Sequence, residues 1–268
     1  MSKATFAVTP GRKVRLASIA TKDRGDFSNK DEARAATETI LTRLRELQER
    51  LYAAHHRALL VVLQGMDTSG KDGAIRKVFS GMNPQGCSVV SFKAPTPIEL
   101  AHDFLWRIHH HTPPKGIICI FNRSHYESVL VERVHKLVPT KVWEERFDQI
   151  NQFEALLESE GTSVVKFFLH ISKNEQRERL TARLEDPAKY WKFNPGDVDE
   201  RKLWSKYQEA YEDCLTRCST KHAPWHIIPA DNKWYRDWAI SSVIVDELER
   251  IDPKFPPAPA GLEKIVIR

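Results

Sequence analysis

The apolar run ALLVVLQ (residues 58–64) opens straight into GMDTSGKDG (residues 65–73), and this junction restricts the local fold more than any other stretch of the chain. The run has the length of a buried strand. The G-x-x-x-x-G-K spacing after it belongs to a loop whose backbone N–H groups cradle phosphate oxygens. Lys71 supplies a cation there, and the next helix N-terminus adds a favourable dipole. Beyond the loop, Ile75, Val78 and Phe79 fall on one side of residues 72–82, as an amphipathic helix requires. Strand, loop and helix thus come in the order the motif needs. Two acids do not belong to the usual pattern. The eighth position, normally Ser or Thr, is Asp72, and Asp67 lies inside the loop, so phosphate can approach closely only where a divalent cation or basic groups offset the negative charge. Asp72 reads as a cap for the helix.

The remaining pattern alternates strands with helices. CSVVSFK, a helix over 97–109, GIICIFN, SVVKFFLHI and HIIPA bring the candidate strands to five. That order predicts an α/β fold, a three-layer αβα sandwich around a parallel five-stranded sheet. Residues 31–57 carry an apolar stripe of Ile40, Leu41, Leu44, Leu47 and Leu51 on a long amphipathic helix. Residues 1–30, with Lys3, Arg12, Lys13 and Arg15, read as an extended basic arm. Three regions are therefore expected: 1–57 as arm and helix, 58–250 as the kinase-like core with a lid at about 176–211, and 251–268 as a proline-rich tail.

Charge and composition narrow the class. The 268 residues carry 41 basic and 36 acidic side chains, a formal charge of +5, which is compatible with an anionic substrate and calls for neither nucleic acid nor membrane. The four cysteines, at 87, 119, 214 and 218, lack the spacing of a zinc site or a secreted disulfide framework. No run of about 18 apolar residues is present, and the first residues lack a signal peptide's apolar centre, so a cytoplasmic location is expected.

FNRSHYE (residues 121–127) follows the GIICIFN strand where a sheet's ligand crevice opens. Many phosphate-binding folds place a metal-handling Asp at this point; here it is Asn122, which can carry neither charge nor the role of a base. Arg123 offers a planar fork for phosphate. Further on, Arg177, Arg179 and Arg183 precede a Pro- and Gly-marked break and read as arginines of a mobile flap that closes over phosphates. Residues 91–96 stand where acceptor-binding loops belong, and Phe92 is placed to abut a base. The run of His109, His110 and His111 before two prolines has no spacing for a metal and is assigned no chemistry.

Taken in order, GMDTSGKDG, FNRSHYE, the RERLTAR and DPAKYWK segment, KHAPW and DNKWYR closely resemble the polyphosphate kinase 2 family, over roughly residues 44–250. The resemblance implies a thymidylate kinase-like P-loop fold with a helical lid, Mg2+ as cofactor with Mn2+ possible, and phosphoryl transfer between inorganic polyphosphate and nucleotides. FNRSHYE further resembles the subgroup called class III, which implies that AMP is carried through ADP to ATP. Carried onto this chain, the family pattern implies that Asp67 holds metal and that Asp67, Lys71, Asn122, Arg123, Arg179 and Arg183 carry catalysis. Gly65, Thr68, Ser69, Gly70, Lys71, Asp72, Gly73, Arg76, Lys77 and Arg123 are the expected polyphosphate contacts. Phe92, Lys93, Thr96, Glu127, Arg179 and Arg183 are those expected for the nucleotide. A homo-oligomer, dimer or tetramer, is expected by the same likeness. Three other readings stand beside this one: a polyphosphate kinase restricted to mono- or to diphosphates, an ATP-dependent nucleoside monophosphate kinase, which Asp72 disfavours because a hydroxyl there normally ligates magnesium, and a non-catalytic polyanion-binding module.

Overall fold

The computed structural model describes residues 6–267, so Lys3 lies outside the described residues. Helix α1 (Lys30–Ala54) leads to β1 (Ala58–Gln64), α2 (Lys71–Val78), β2 (Cys87–Ser91), the short helices α3 (Pro97–Leu100) and α4 (Trp106–His109), and β3 (Ile118–Asn122). Then follow α5 (Glu127–Val134), α6 (Thr140–Ser159), β4 (Thr162–His170), α7 (Lys173–Leu184), α8 (Gly196–Lys202), α9 (Trp204–Arg217), β5 (Trp225–Pro229) and α10 (Lys233–Ile251). The five strands form one sheet in the order β2-β3-β1-β4-β5, every pairing parallel. Every residue of β1 and β4 is buried, as expected for central strands covered on both faces. One apolar cluster gathers Leu60, Val62, Phe121, Phe168 and Tyr211; the opposite face gathers Leu59, Val61, Leu63, Phe167, Leu44 of α1 and Ile244 of α10. The strand order reverses direction at β1, so the crevice beyond its C-terminal end is the fold's natural ligand site. The glycine-rich loop leaves from that end.

Several local expectations change on folding. The helix expected over 97–109 is two single turns, because Thr96 and Glu99 close a capping box on α3 and Asp103 then accepts from Leu105 N at 2.9 Å, turning the chain before α4. Residues 6–27 are tied down rather than loose. Ile227 N donates to Phe6 O and Val8 N to Trp225 O, so the arm pairs with the free edge of β5, while Val14, Leu16 and Phe27 are buried. Helix α1 begins at Lys30, where the Asn29 side chain accepts from Asp31 N and Glu32 N, and it stops at Ala54 because His55 turns left-handed; Arg57 instead bonds Glu158 and Ser163. All four cysteines are free thiols. No helix among the described residues is long and apolar enough to cross a membrane.

Under β4, on the face shared with α5, α6 and α9, lies a charged cluster that no sequence pattern announced. Lys166, fully buried, donates to Glu154, to the Tyr126 hydroxyl at 2.8 Å and to Cys218 O at 2.7 Å. Glu154 also accepts from Tyr126 at 2.7 Å and faces His125 Nε2 at 3.2 Å. Burial alone would raise the Glu154 carboxyl, but Lys166 and His125 outweigh it and hold the group below the usual carboxylate range. The His125 and Tyr126 of FNRSHYE therefore anchor the start of α5 in the core and leave Arg123 free to face the crevice.

Candidate active site

The loop after β1 is closed on itself by its own polar groups. Gly70 has φ +103°, and a Cβ there would lie 2.0 Å from Arg236 Nη1, so only glycine fits between the loop and α10. Thr68 and Arg123 also take left-handed backbone, at φ 62° and 64°. For β-branched Thr this is a strained conformation, held at a site where such strain is characteristic. The Lys71 ammonium donates to Gly65 O at 2.8 Å and Met66 O at 3.4 Å. Burial, reinforced by neighbouring Arg123, brings its pKa down to about 8. Buried Thr68 Oγ1 and Ser69 Oγ of the loop, and Gln64 Oε1 at the end of β1, have no hydrogen-bond partner among the described residues.

The two acids of the loop have different partners. Asp67 accepts from Arg123 Nη2 at 2.8 Å, and Asp72 accepts from Asn122 Nδ2 at 2.8 Å. Asp72 therefore does not cap α2; the N-cap is Gly70, and Asp72 sits in the first turn, where its charge complements the helix dipole. The amide at position 122 is explained by the same contact, since a carboxylate there would face a second carboxylate.

Helix α7 holds the loop from behind. Gln176 Nε2 donates to Asp67 O at 3.0 Å, and Arg179 donates to Thr68 O, Ser69 O, Ala230 O and Asp231 O at 2.6 to 3.1 Å, with Glu175 at 2.8 Å completing its set. The start of α7 is capped by Ser172, whose N–H donates to Asp231; of the three arginines expected on a flap, Arg177 bonds Asn174 at 2.8 Å and Arg179 has its fork occupied by main-chain carbonyls. Arg183, one turn on, donates to Lys192 O at 3.0 Å and Asp197 at 3.3 Å, which ties α7 to the segment before α8 and to the first turn of α8.

These elements enclose a cavity of about 570 Å3 at the C-terminal end of the sheet, lined by ten Lys or Arg side chains against three Asp. Of the residues expected at the site, Asp67, Thr68, Gly70, Lys71, Asp72, Gly73, Arg76, Phe92, Lys93, Asn122, Arg123, Arg179 and Arg183 line it. Gly65 and Glu127 instead line a small adjoining recess with Arg123. Three expected residues fall outside both. Lys77 bonds Glu38 at 2.5 Å on the outer face of α2, Ser69 is wholly buried beneath the loop, and Thr96 spends its hydroxyl on the cap of α3. Phe92, only 6% exposed, packs edge-on against Phe121 and His111 with Arg107 above it, so its ring is core. Residues not singled out by the sequence complete the wall: Lys189, Trp191 and Lys192 between α7 and α8, Asp197 in the first turn of α8, and Lys233 and Arg236 on α10. DPAKYWK and DNKWYR contain five of these six, but only the topology, which sets α10 beside α2, turns their charges toward the loop.

A family model described as Polyphosphate kinase 2 (PPK2) matches residues 27–256. The chain belongs to the polyphosphate kinase 2 family. It is 49% identical to a protein of Meiothermus ruber named AMP/ADP-polyphosphate phosphotransferase, covering 98% of both chains, and 43% identical to the ADP-polyphosphate phosphotransferase of Rhodopseudomonas palustris, covering 94% of this chain and 91% of that one. The crystal structure of Polyphosphate Kinase 2 from Arthrobacter aurescens TC1 superimposes with a TM-score of 0.92 at 40% identity, covering 97% of this chain and 93% of that chain. The chain is accordingly a phosphotransferase, a nucleotide kinase of the polyphosphate-using kind. Its parallel five-stranded α/β fold is that of the family.

Proposed function

We propose that the protein moves the terminal phosphoryl group of inorganic polyphosphate onto AMP and then onto the resulting ADP. The observation that carries this reading is the concentration of ten cationic side chains around a P-loop whose chain-wide formal charge is only +5. A polyanionic donor with about one charge per phosphate needs such a groove, and a compact acceptor alone does not. The range of acceptors follows the name of the Meiothermus ruber relative, which includes both AMP and ADP.

The loop N–H groups, Lys71 and Arg76 hold the donor's terminal phosphates, and Arg123 faces the phosphoryl group in flight; positioning and charge neutralisation supply most of the acceleration in such transfers. Arg183, held by Asp197, adds charge from the lid side. Arg179 acts one step removed, keeping the loop carbonyls turned away from the donor. Asp67 and Asp72 are each engaged through one oxygen only, a donor set that suits Mg2+, which takes one or two carboxylates and completes its shell with water and phosphate oxygens. Among the described residues no cluster of three or more His, Cys, Asp or Glu is set to hold an ion without substrate. Asp67 is the assigned ligand; bound Mg2+ would neutralise donor charge. Asp67 also orients the accepting phosphate.

The direct test supplies magnesium, with polyphosphate or ATP as donor and AMP, ADP, GMP or GDP as acceptor, and follows di- and triphosphates over time. ADP followed by ATP from AMP and polyphosphate is expected. Transfer from ATP but not polyphosphate would overturn the donor, and no ADP from AMP would restrict the acceptor to diphosphates. A pH dependence accompanies the reading. Lys71 in the free protein loses its proton as pH rises through about 8, so kcat/KM for polyphosphate is expected to decline above that pH. In Lys71→Met that limb should vanish along with most activity; an unchanged alkaline limb would assign it to another group.

A further inference from the structure

Helices α7 and α8 are joined by two pairs of side chains. Arg183 donates to Asp197 at the wall of the cleft, and one turn further along α8 Arg201 Nη1 donates to Gln176 Oε1 at 2.9 Å and to Lys173 O at 2.6 Å. Positions 176 and 183 lie two turns apart on α7, and 197 and 201 one turn apart on α8, so each helix meets the other with a single face. The second pair does not end at α7. Gln176 is only 2% exposed, and while its carbonyl oxygen accepts from Arg201, its Nε2 donates to Asp67 O at 3.0 Å. Only this orientation of the amide serves both partners, because a guanidinium has no acceptor and a main-chain carbonyl no donor. A continuous line of hydrogen bonds therefore runs from α8 through a buried amide to the backbone of Asp67.

That line ends at the most constrained peptide of the loop. Thr68 has φ 62°, and the carbonyls on either side of it are clamped: Asp67 O by Gln176, and Thr68 O by Arg179 Nη1 at 2.9 Å. A β-branched residue keeps left-handed backbone only where its surroundings hold it there. Of the two clamps, Arg179 draws on Glu175 of its own helix and on main-chain carbonyls, whereas Gln176 draws on α8. Resting on the role proposed for Asp67 in transfer from polyphosphate, we infer that Gln176 is a positioning residue: it makes the direction of the Asp67 carboxylate depend on α8 being seated against α7 through Arg201. With Arg201 in place the amide is fixed from both ends and Thr68 keeps its left-handed turn. With α8 displaced the amide keeps one partner, its side chain is free to turn, and the peptide between Asp67 and Thr68 relaxes toward ordinary backbone. Asp67 is then correctly aimed only while the segment that walls the cleft is in place, which disfavours phosphoryl transfer to water from an open site.

The test uses the full chain and two variants: Gln176→Met, which keeps much of the volume and loses both bonds, and Arg201→Ala, whose lost side chain bonds α7 only. Amide hydrogen exchange over residues 65–73 is followed without metal or substrate, where the bond from Ser69 N to Met66 O at 3.0 Å reports closure of the turn. Both variants are expected to speed that exchange about two- to tenfold, the weight of one hydrogen bond, and to leave β1 and β4 unchanged. With magnesium, polyphosphate and AMP, Gln176→Met should lower kcat about 10- to 100-fold, as misaimed groups do, while KM for polyphosphate stays within about twofold. Arg201→Ala should lower kcat by a smaller factor, and the double variant should be no worse than Gln176→Met, because both act through one line. Unchanged loop exchange in Arg201→Ala, or losses that multiply in the double variant, overturn the inference. Faster exchange that spreads equally over β1 and β4 makes Gln176 a packing residue and overturns it too. Should Gln176→Met fail to fold, loop exchange in Arg201→Ala decides, a faster rate supporting the relay and an unchanged one overturning it. A wild type that moves no phosphoryl group from polyphosphate to AMP defeats the proposed function, whereas normal wild-type transfer with indifferent variants defeats only this inference.

Discussion

Asp67→Asn is expected to lower kcat for ADP formation from AMP and polyphosphate by about 100- to 1000-fold, the usual cost of removing one preorganised electrostatic group from an active site. The fold should be almost untouched. Asp67 is partly exposed, its one ion pair among the described residues is with a partly exposed Arg123, and such pairs contribute about 0–1 kcal/mol. The amide can still accept from Arg123 through its carbonyl oxygen, so what is lost is charge: the negative group proposed to hold Mg2+ and orient the acceptor. A continuous assay of nucleotide diphosphates over a range of magnesium, alongside a thermal melt, separates the two effects. Near-normal turnover at saturating magnesium would remove Asp67 from the mechanism and move attention to Asp72. A loss of activity matched by a loss of folded protein would make Asp67 structural.

The second large effect is on stability. Lys166→Met removes the lysine cation bonded to Glu154 in the buried cluster, and breaking a buried pair from one side typically costs about 3–5 kcal/mol because the remaining charge is left uncompensated. Urea unfolding at neutral pH should show that loss. The pH dependence gives the cause away. In the wild type Glu154 is held below its ordinary range, so its contribution is present above the unfolded carboxylate pKa and is lost as pH falls through the lower folded value. Without Lys166 the buried carboxylate is desolvated and its pKa moves up, so it takes a proton as pH falls, and the penalty of the substitution should shrink between pH 8 and pH 5. Replacing both partners, Lys166→Met with Glu154→Leu, should recover much of the loss. A penalty independent of pH, with no recovery in the double variant, would assign the effect to packing alone.

Much of the fold is legible in local pattern. A seven-residue, largely apolar strand, a loop of fixed glycine spacing and an amphipathic helix are specified within residues 58–78, because each depends on sequence-near periodicity and backbone freedom. The five strands appear in chain order for the same reason. Less legible are the ends of elements. The helix over 97–109 is interrupted because Asp103 accepts from Leu105 N, a short-range hydrogen-bond choice that turns the chain between α3 and α4. Burial of Phe92 and Lys166 could not be read, since which face of a strand meets which neighbour is set by pairing across the sheet.

For the site, residue types were visible and partners were not. The sequence by itself determined a phosphate-gripping loop with two acids, an Asn-Arg pair after the third strand, and a set of motifs that place the chain in its family, because backbone spacing and residue chemistry are properties of short segments. Only the tertiary structure decided what those residues face. It gave Asp67 to Arg123 and Asp72 to Asn122, spent Arg179 on the loop's carbonyls, turned Lys77 outward, and brought Lys189, Lys192, Lys233 and Arg236 from distant segments to one cleft. The physical reason is that charge acts through space, and the distances between groups from about 40 to more than 100 residues apart in the chain exist only once the parallel sheet has set its strand order.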